Sequence, residues 1–186
     1  MNLINEVRKN PLTGTLTIIS TVRGLRPKQY GSEKTIGVCP FCQGNEHLTP
    51  PATAVLIKRN GEYIVERDTD DNRVKNWVSR IFPNKYPALT TNPPGVTEPI
   101  FTEAYGYHEV LVESPRHVPD IHLVPREEIA DALWLGFYRI REILHDSRIQ
   151  STIIIKNRGS LAAASIVHTH SQIFGSPFIP PRIRME

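Results

Sequence analysis

From residue 166 to residue 174 the sequence alternates two sets of side chains, with Ile166, His168, His170 and Gln172 on one parity and Val167, Thr169, Ser171 and Ile173 on the other. A strand repeats every two residues, so in extended form this segment turns His168, His170 and Gln172 to one face and brings three polar groups to one site. An imidazole with an ordinary pKa near ~6.5 is largely neutral at cellular pH, which leaves one ring nitrogen free either to attack phosphorus or to bind a metal. Two alternate histidines can divide those tasks. Ser165 and Gln172 bracket the pair, and the small-residue stretch SLAAAS leads into it.

The chain before this segment reads as short strands around one helix. Pro125 and Arg126 precede residues 127–144, where Ile129, Leu133, Phe137 (or Gly136), Ile140 and Leu144 recur at helical spacing, and Glu127 and Glu128 place negative charge in the first turn. The β-branched run STIII follows. Further strands are expected at residues 52–58, 63–66, 77–82, 108–113 and 121–124, and another after the turn marked by Pro11 and Gly14, where Thr15, Thr17, Ile18 and Ile19 cluster. The order over residues 120–175 is strand, long helix, strand, loop, strand, which predicts an α+β fold.

Residues 24–51 are different: rich in Gly, Pro and polar residues, they need an external tie to stay ordered. Both cysteines of the chain, Cys39 and Cys42, fall here in one CPFC tetrapeptide. That placement suggests a local metal or redox site rather than a disulfide framework.

With 186 residues, 39% hydrophobic and 22% charged, the chain suits one folded domain able to bury a core without disulfides. The formal charge of +3 is scattered rather than gathered in a run, which argues against nucleic acid and is compatible with small anionic substrates. No apolar run approaches the ~20 residues of a spanning helix, and the opening MNLINEVRKN lacks the apolar core of a secretory signal, so no membrane association and a cytoplasmic location are expected.

Asn157-Arg158-Gly159, Ala162-Ala163-Ala164-Ser165 and His168-Thr169-His170-Ser171-Gln172 together resemble the active-site signature of the galactose-1-phosphate uridylyltransferases and their nucleotide-sugar phosphorylase relatives, a branch of the histidine-triad superfamily. RGLRP at residues 23–27, CPFC, RIFPNKYPAL at residues 80–89, and His108-Glu109-Val110 through Ser114-Pro115-Arg116-His117 resemble further blocks of that family in the same order. The resemblance implies a single histidine-triad-like domain over residues 1–186, mainly an antiparallel sheet with one long helix and a zinc-tied N-terminal loop region. It implies that His170 is the nucleophile, attacking the α-phosphorus of a nucleoside diphosphate sugar and holding the nucleotide covalently until a phosphorylated acceptor removes it. Gln172 and Ser165 are then expected to meet charge on the phosphoryl oxygens; Asn84, Asn157, Gly159 and Arg26 are expected to contact the nucleotide. Cys39, Cys42, His117 and His168 are the implied zinc ligands, a closed set of two thiolates and two imidazoles. His47, His108, His122 and His145 carry no such match and read as structural or surface residues.

The sequence departs from the commonest transferase signature at Thr169 and Ser171, where proline and glycine stand in that signature, and at Ala163, where glycine is frequent. It is in these respects closer to the atypical or phosphorylase-like branches. The full family enzymes carry two tandem repeats of this domain, whereas this sequence reaches Pro180-Pro181-Arg182 soon after the first signature, so a homodimer is expected to rebuild the paired arrangement. The expected activity is nucleotidyl transfer between a nucleotide sugar and a sugar 1-phosphate. The alternatives are phosphorolysis or hydrolysis of a nucleoside diphosphate compound, and a non-catalytic zinc-stabilised nucleotide-binding protein.

Overall fold

The computed structural model describes residues 4–25, 38–162, 164 and 166–185. Arg26, Ala163 and Ser165 lie outside the described residues. Near the start, β1 (Asn5–Lys9) and β2 (Leu16–Ser20) form an antiparallel hairpin. Its turn closes because the Asn10 carboxamide oxygen accepts from the amides of Leu12 and Thr13 while Gly14 takes a φ of +71°. The second of these strands was expected from its β-branched run; the first, NEVRK, carries too much charge to announce itself.

Next come β3 (Ala54–Arg59) and β4 (Glu62–Glu66), joined by Asn60-Gly61 with both φ positive, as a tight hairpin turn requires. They are followed by β5 (Ser79–Pro83), β6 (Thr102–Glu103), β7 (Tyr107–Val112), α1 (Arg126–Ile143), β8 (Ser151–Ile155), β9 (His170–Ser176) and the short α2 (Pro181–Met185). The main sheet is six-stranded in the order β4-β3-β5-β7-β9-β8, with every neighbouring pair antiparallel; β2-β1-β6 form a second, three-stranded sheet. The expected mainly antiparallel fold with one long helix is what the described residues form.

Both faces of the main sheet are covered at its centre, and the alternation along β3 shows the division. Ala54 and Leu56 join Ile81, Leu111 and Ile173 beneath α1, with Leu135 and Ile143 as the helix's contribution. Val55 and Ile57 join Phe82, Val110 and Val112 on the opposite face, under Phe41, Val74 and Trp77. This second face carries the candidate site.

Two sequence expectations are corrected. Residues 121–124, expected as a strand, form a 3₁₀ turn (Ile121–Leu123), because Asp120 caps it by accepting the Ile121 amide at 2.7 Å and the helix begins immediately afterwards. The helix is present where expected, and its buried stripe agrees in part: Gly136 is buried and Ile140 packs against the core, joined by Ala132, Leu135 and Ile143, while Leu133, Phe137 and Leu144 are exposed. Small residues decide this. A Cβ built on Gly136 would lie 3.2 Å from Ile154 Cδ1, so the helix sits closer to the sheet than a leucine stripe would allow.

The CPFC loop is anchored to the sheet by a buried carboxylate. Glu46 accepts from the Gly44 amide, from Trp77 Nε1 and from Lys75 Nζ. Burial works to raise its pKa, but these donors outweigh it and hold the pKa down at about 2. A depressed folded pKa gives stability that is complete above the unfolded value of 4.5 and is lost as pH falls from there towards 2. Glu46→Gln is therefore expected to lower neutral-pH stability by about 1–3 kcal/mol and to flatten its decline across that acid window, as read by urea unfolding at a series of pH values.

Candidate functional site

Two thiols and two imidazoles from separate stretches of chain converge at one end of the site. Their ligand atoms in Cys39, Cys42, His117 and His168 all lie within 4.8 Å of one another. Cys42 Sγ is 3.3 Å from His117 Nδ1 and 3.6 Å from His168 Nδ1, and Cys39 Sγ is 3.7 Å from His168 Nδ1. A tetrahedron with metal–nitrogen and metal–sulfur arms of about 2.0 and 2.3 Å has edges of roughly 3.3–3.8 Å. The set can hold a metal ion.

The protonation pattern agrees. His168 Nε2 is 2.8 Å from the Ser114 carbonyl, which can only accept, so Nε2 carries the proton and Nδ1 faces the sulfurs bare. Burial pushes the His168 pKa down and keeps the ring neutral. Burial and the adjacent Cys39 push the Cys42 thiol up to about 11, so metal binding must displace a proton there.

The histidine segment departs from the expected uniform strand. Sheet pairing starts only at His170; Thr169 instead donates its amide to the Val118 carbonyl at 2.8 Å. The cause lies in the partner: β7 ends at Val112, only a long bond from the Glu113 amide to the Thr169 carbonyl at 3.5 Å continues the ladder, and the chain then turns through Ser114-Pro115, so among the described residues no strand runs beside residues 166–169. His168 is thereby free to reach the cysteines while His170 and Gln172 remain on one face of β9.

His170 Nδ1 lies 2.8 Å from the His168 carbonyl and donates to it, which leaves Nε2 as the unprotonated nitrogen of the neutral ring. The Phe41 ring, from within CPFC, meets the His170 ring edge-on at 5.2 Å and also touches Phe82. His170, Gln172 and Asn84 line a pocket of about 200 Å³ with Phe41, Leu48, Pro50, Phe82, Lys85 and Tyr86 among its other walls. Sheet register sets this grouping, since Phe82, Val110, Gln172 and Ile155 form one row across β5, β7, β9 and β8. Beside Gln172, buried His108 places Nε2 at 2.7 Å from Gln172 Oε1 and 3.2 Å from Asn84 Nδ2.

The opposite face of the histidine strand is fixed by Glu113. Its carboxylate accepts from Thr169 Oγ1, Ser171 Oγ and Lys156 Nζ, each at 2.5 Å, and Lys156 also reaches Thr169 Oγ1 and the His170 carbonyl. The two residues that depart from the commonest signature are thus hydrogen-bonded to one buried carboxylate.

The structure brings His170, Gln172 and Asn84 together, and separately gathers Cys39, Cys42, His117 and His168. Asn157 and Gly159 lie on an exposed stretch outside the pocket lining. Arg26 and Ser165 lie outside the described residues. Sequence reasoning missed His108, Glu113 and Lys156. The available signal was parity: His108 precedes Val110 and Val112 on the pocket face, and Glu113 ends an otherwise apolar run.

The chain matches the model of the galactose-1-phosphate uridyl transferase N-terminal domain over residues 2–180 and belongs to that family. It is 31% identical to an ADP-glucose phosphorylase of Arabidopsis thaliana, covering 96% of this chain and 50% of the relative. It is 28% identical to a galactose-1-phosphate uridylyltransferase of Thermotoga maritima, covering 97% of this chain and 49% of the relative. Among solved structures it is similar to a uridylyltransferase (TM-score 0.68, 28% identity, 97% of this chain and 48% of that one). It is also similar to the A. thaliana ADP-glucose phosphorylase with bound ADP-glucose (TM-score 0.62, 30% identity, 95% and 50%). The chain spans about half the length of these relatives.

Removing the Glu113 carboxylate would leave a partly buried ammonium and two hydroxyls without their acceptor. Glu113→Ala is expected to cost about 3 kcal/mol in urea unfolding, and adding Lys156→Met should recover part of that loss by removing the stranded charge.

Proposed function

We propose that this domain transfers a nucleotidyl group from a nucleoside diphosphate sugar to a phosphorylated acceptor, with His170 as the nucleophile. The observation that carries the reading is the anchoring of His170 Nδ1 on the His168 carbonyl, which puts the lone pair of the neutral ring on Nε2, in a residue that lines one pocket with Gln172 and Asn84. In the first step the Nε2 lone pair attacks the α-phosphorus. The N–P bond forms, the bridging P–O bond breaks, and the sugar 1-phosphate leaves with those electrons. In the second step a phosphate oxygen of the acceptor attacks the same phosphorus, the N–P bond breaks, and the neutral imidazole is restored. Splitting the transfer this way predicts ping-pong kinetics.

Gln172 donates to the phosphoryl oxygens as charge builds on them. Ser165 shares that task, and Asn84, Asn157, Gly159 and Arg26 contact the nucleotide, as their family positions imply. The apolar walls formed by Phe41, Leu48, Pro50 and Phe82 suit a base. Zinc is the metal we assign to Cys39, Cys42, His117 and His168; two thiolates and two imidazoles make a closed structural site whose task is to hold the CPFC loop against the chain entering β9. The acceptor is a sugar 1-phosphate or inorganic phosphate. Phosphate is favoured as an alternative by the 31% identity to a protein named ADP-glucose phosphorylase. We place this activity in the cytoplasm; among the described residues no helix is long and apolar enough to cross a membrane. We also propose that residues 1–186 act as one domain that pairs with a second copy, which sizing at micromolar concentration tests: a monomer contradicts it.

Incubation with labelled UDP-glucose or ADP-glucose is expected to leave an acid-labile nucleotide on the protein, discharged by sugar 1-phosphate or phosphate. His170→Gly should reduce labelling by about 10⁴-fold or more with the circular dichroism unchanged. Normal labelling of that variant contradicts the assignment of the nucleophile, and absence of label with every nucleotide sugar contradicts transfer altogether.

A further inference from the structure

We propose that His108 is a positioning residue that locks the Gln172 carboxamide with its NH₂ group turned to the phosphoryl oxygens. The consequence for catalysis rests on the nucleotidyl-transfer reading above; the contact itself does not.

Ala88 N–H donates to His108 Nδ1 at 2.9 Å, so Nδ1 is an acceptor and the neutral ring must carry its proton on Nε2. Nε2 faces Asn84 Nδ2 at 3.2 Å and Gln172 Oε1 at 2.7 Å. Asn84 cannot turn its oxygen towards the ring without abandoning the Tyr86 amide, which Asn84 Oδ1 accepts at 2.9 Å. Of these two neighbours, therefore, only the Gln172 oxygen can accept from Nε2–H. A flipped Gln172 would set a second NH₂ against that N–H, beyond the Asn84 NH₂ already 3.2 Å away, and would leave it with no acceptor from either side chain. The orientation with Oε1 on His108 and the amide nitrogen free is the one the network permits.

The ring itself has little freedom to move. His108 is 3% exposed and stacks on Phe174 with centroids 4.1 Å apart and planes at 23°. In the ladder His108 pairs with Phe174 and Val110 with Gln172, so the histidine reaches Gln172 diagonally across the same face of β7 and β9. The Ala88 amide, the aromatic stack and the sheet register thus hold the ring from different directions. An unheld primary amide can present its oxygen to an approaching phosphate and repel it, whereas the held one presents a donor before substrate arrives.

The tautomer is testable without substrate. Long-range ¹⁵N–¹H correlation on the uniformly ¹⁵N-labelled protein at neutral pH should show His108 protonated on Nε2; protonation on Nδ1 overturns the proposal. The functional consequence is testable by a cycle of His108→Phe, which retains a flat ring against Phe174, with Gln172→Ala. In the Gln172 background His108→Phe should lower the rate of histidine nucleotidylation by ~10-fold or more, bounded by the ~10²–10³-fold expected on losing the Gln172 donor outright. In the Gln172→Ala background it should have no further effect. An equal loss in both backgrounds shows that His108 acts through the fold and overturns the proposal. A wild type that shows the Nε2–H tautomer yet fails to label with any nucleotide sugar overturns the nucleotidyl-transfer reading and supports the contact.

Discussion

The convergence of Cys39, Cys42, His117 and His168 is the contact on which the rest of the site depends. A loop rich in glycine, proline and polar residues has too little apolar surface to order itself, so its position over the sheet must come from ties made elsewhere. Glu46 provides one through Trp77 and Lys75, and Phe41 provides another by packing on Phe82. The thiol–imidazole cluster joins the loop to the residue two positions before His170. Because Phe41 lies between Cys39 and Cys42 and packs on the His170 ring, the same tetrapeptide touches the proposed nucleophile from the side and holds its backbone from behind.

The sheet then separates two kinds of work. On the pocket face, alternate residues of β7 and β9 present Val110, Gln172 and His170 to the space where substrate is proposed to sit, with buried His108 beside Gln172. On the helix face, Thr169 and Ser171 meet Glu113 and Lys156. A proline and a glycine at those two positions would shape the backbone by their own geometry; here two hydroxyls and a buried carboxylate hold it from below. Hydrogen bonds that pass through Lys156 to the His170 carbonyl give the strand a fixed floor.

Much of this was legible in the sequence because period two and local spacing report on single elements. The alternation through His170 and Gln172, the CPFC tetrapeptide and the helix at Arg126–Ile143 all stand where expected. What remained hidden depends on partners distant in sequence. The strand could not be known to start at His170 rather than at residue 166, because that is decided by where β7 ends. The helix's buried stripe was read only in part: Gly136, which approaches Ile154 and Leu111 closely, stood as the alternative to Phe137, but Ala132 weighs little in a pattern that counts large apolar residues. His108 looked structural since its role depends on the Ala88 amide and on Gln172, 20 and 64 residues away.

The central claim is that a metal ion bound by two cysteines and two histidines holds the loop to the histidine strand. Metal analysis of the purified protein with zinc K-edge X-ray absorption tests it most directly. The account predicts one zinc per chain, with two sulfurs at about 2.3 Å and two nitrogens at about 2.0 Å. A protein without stoichiometric metal, or a zinc shell made of oxygen and nitrogen alone, would contradict it.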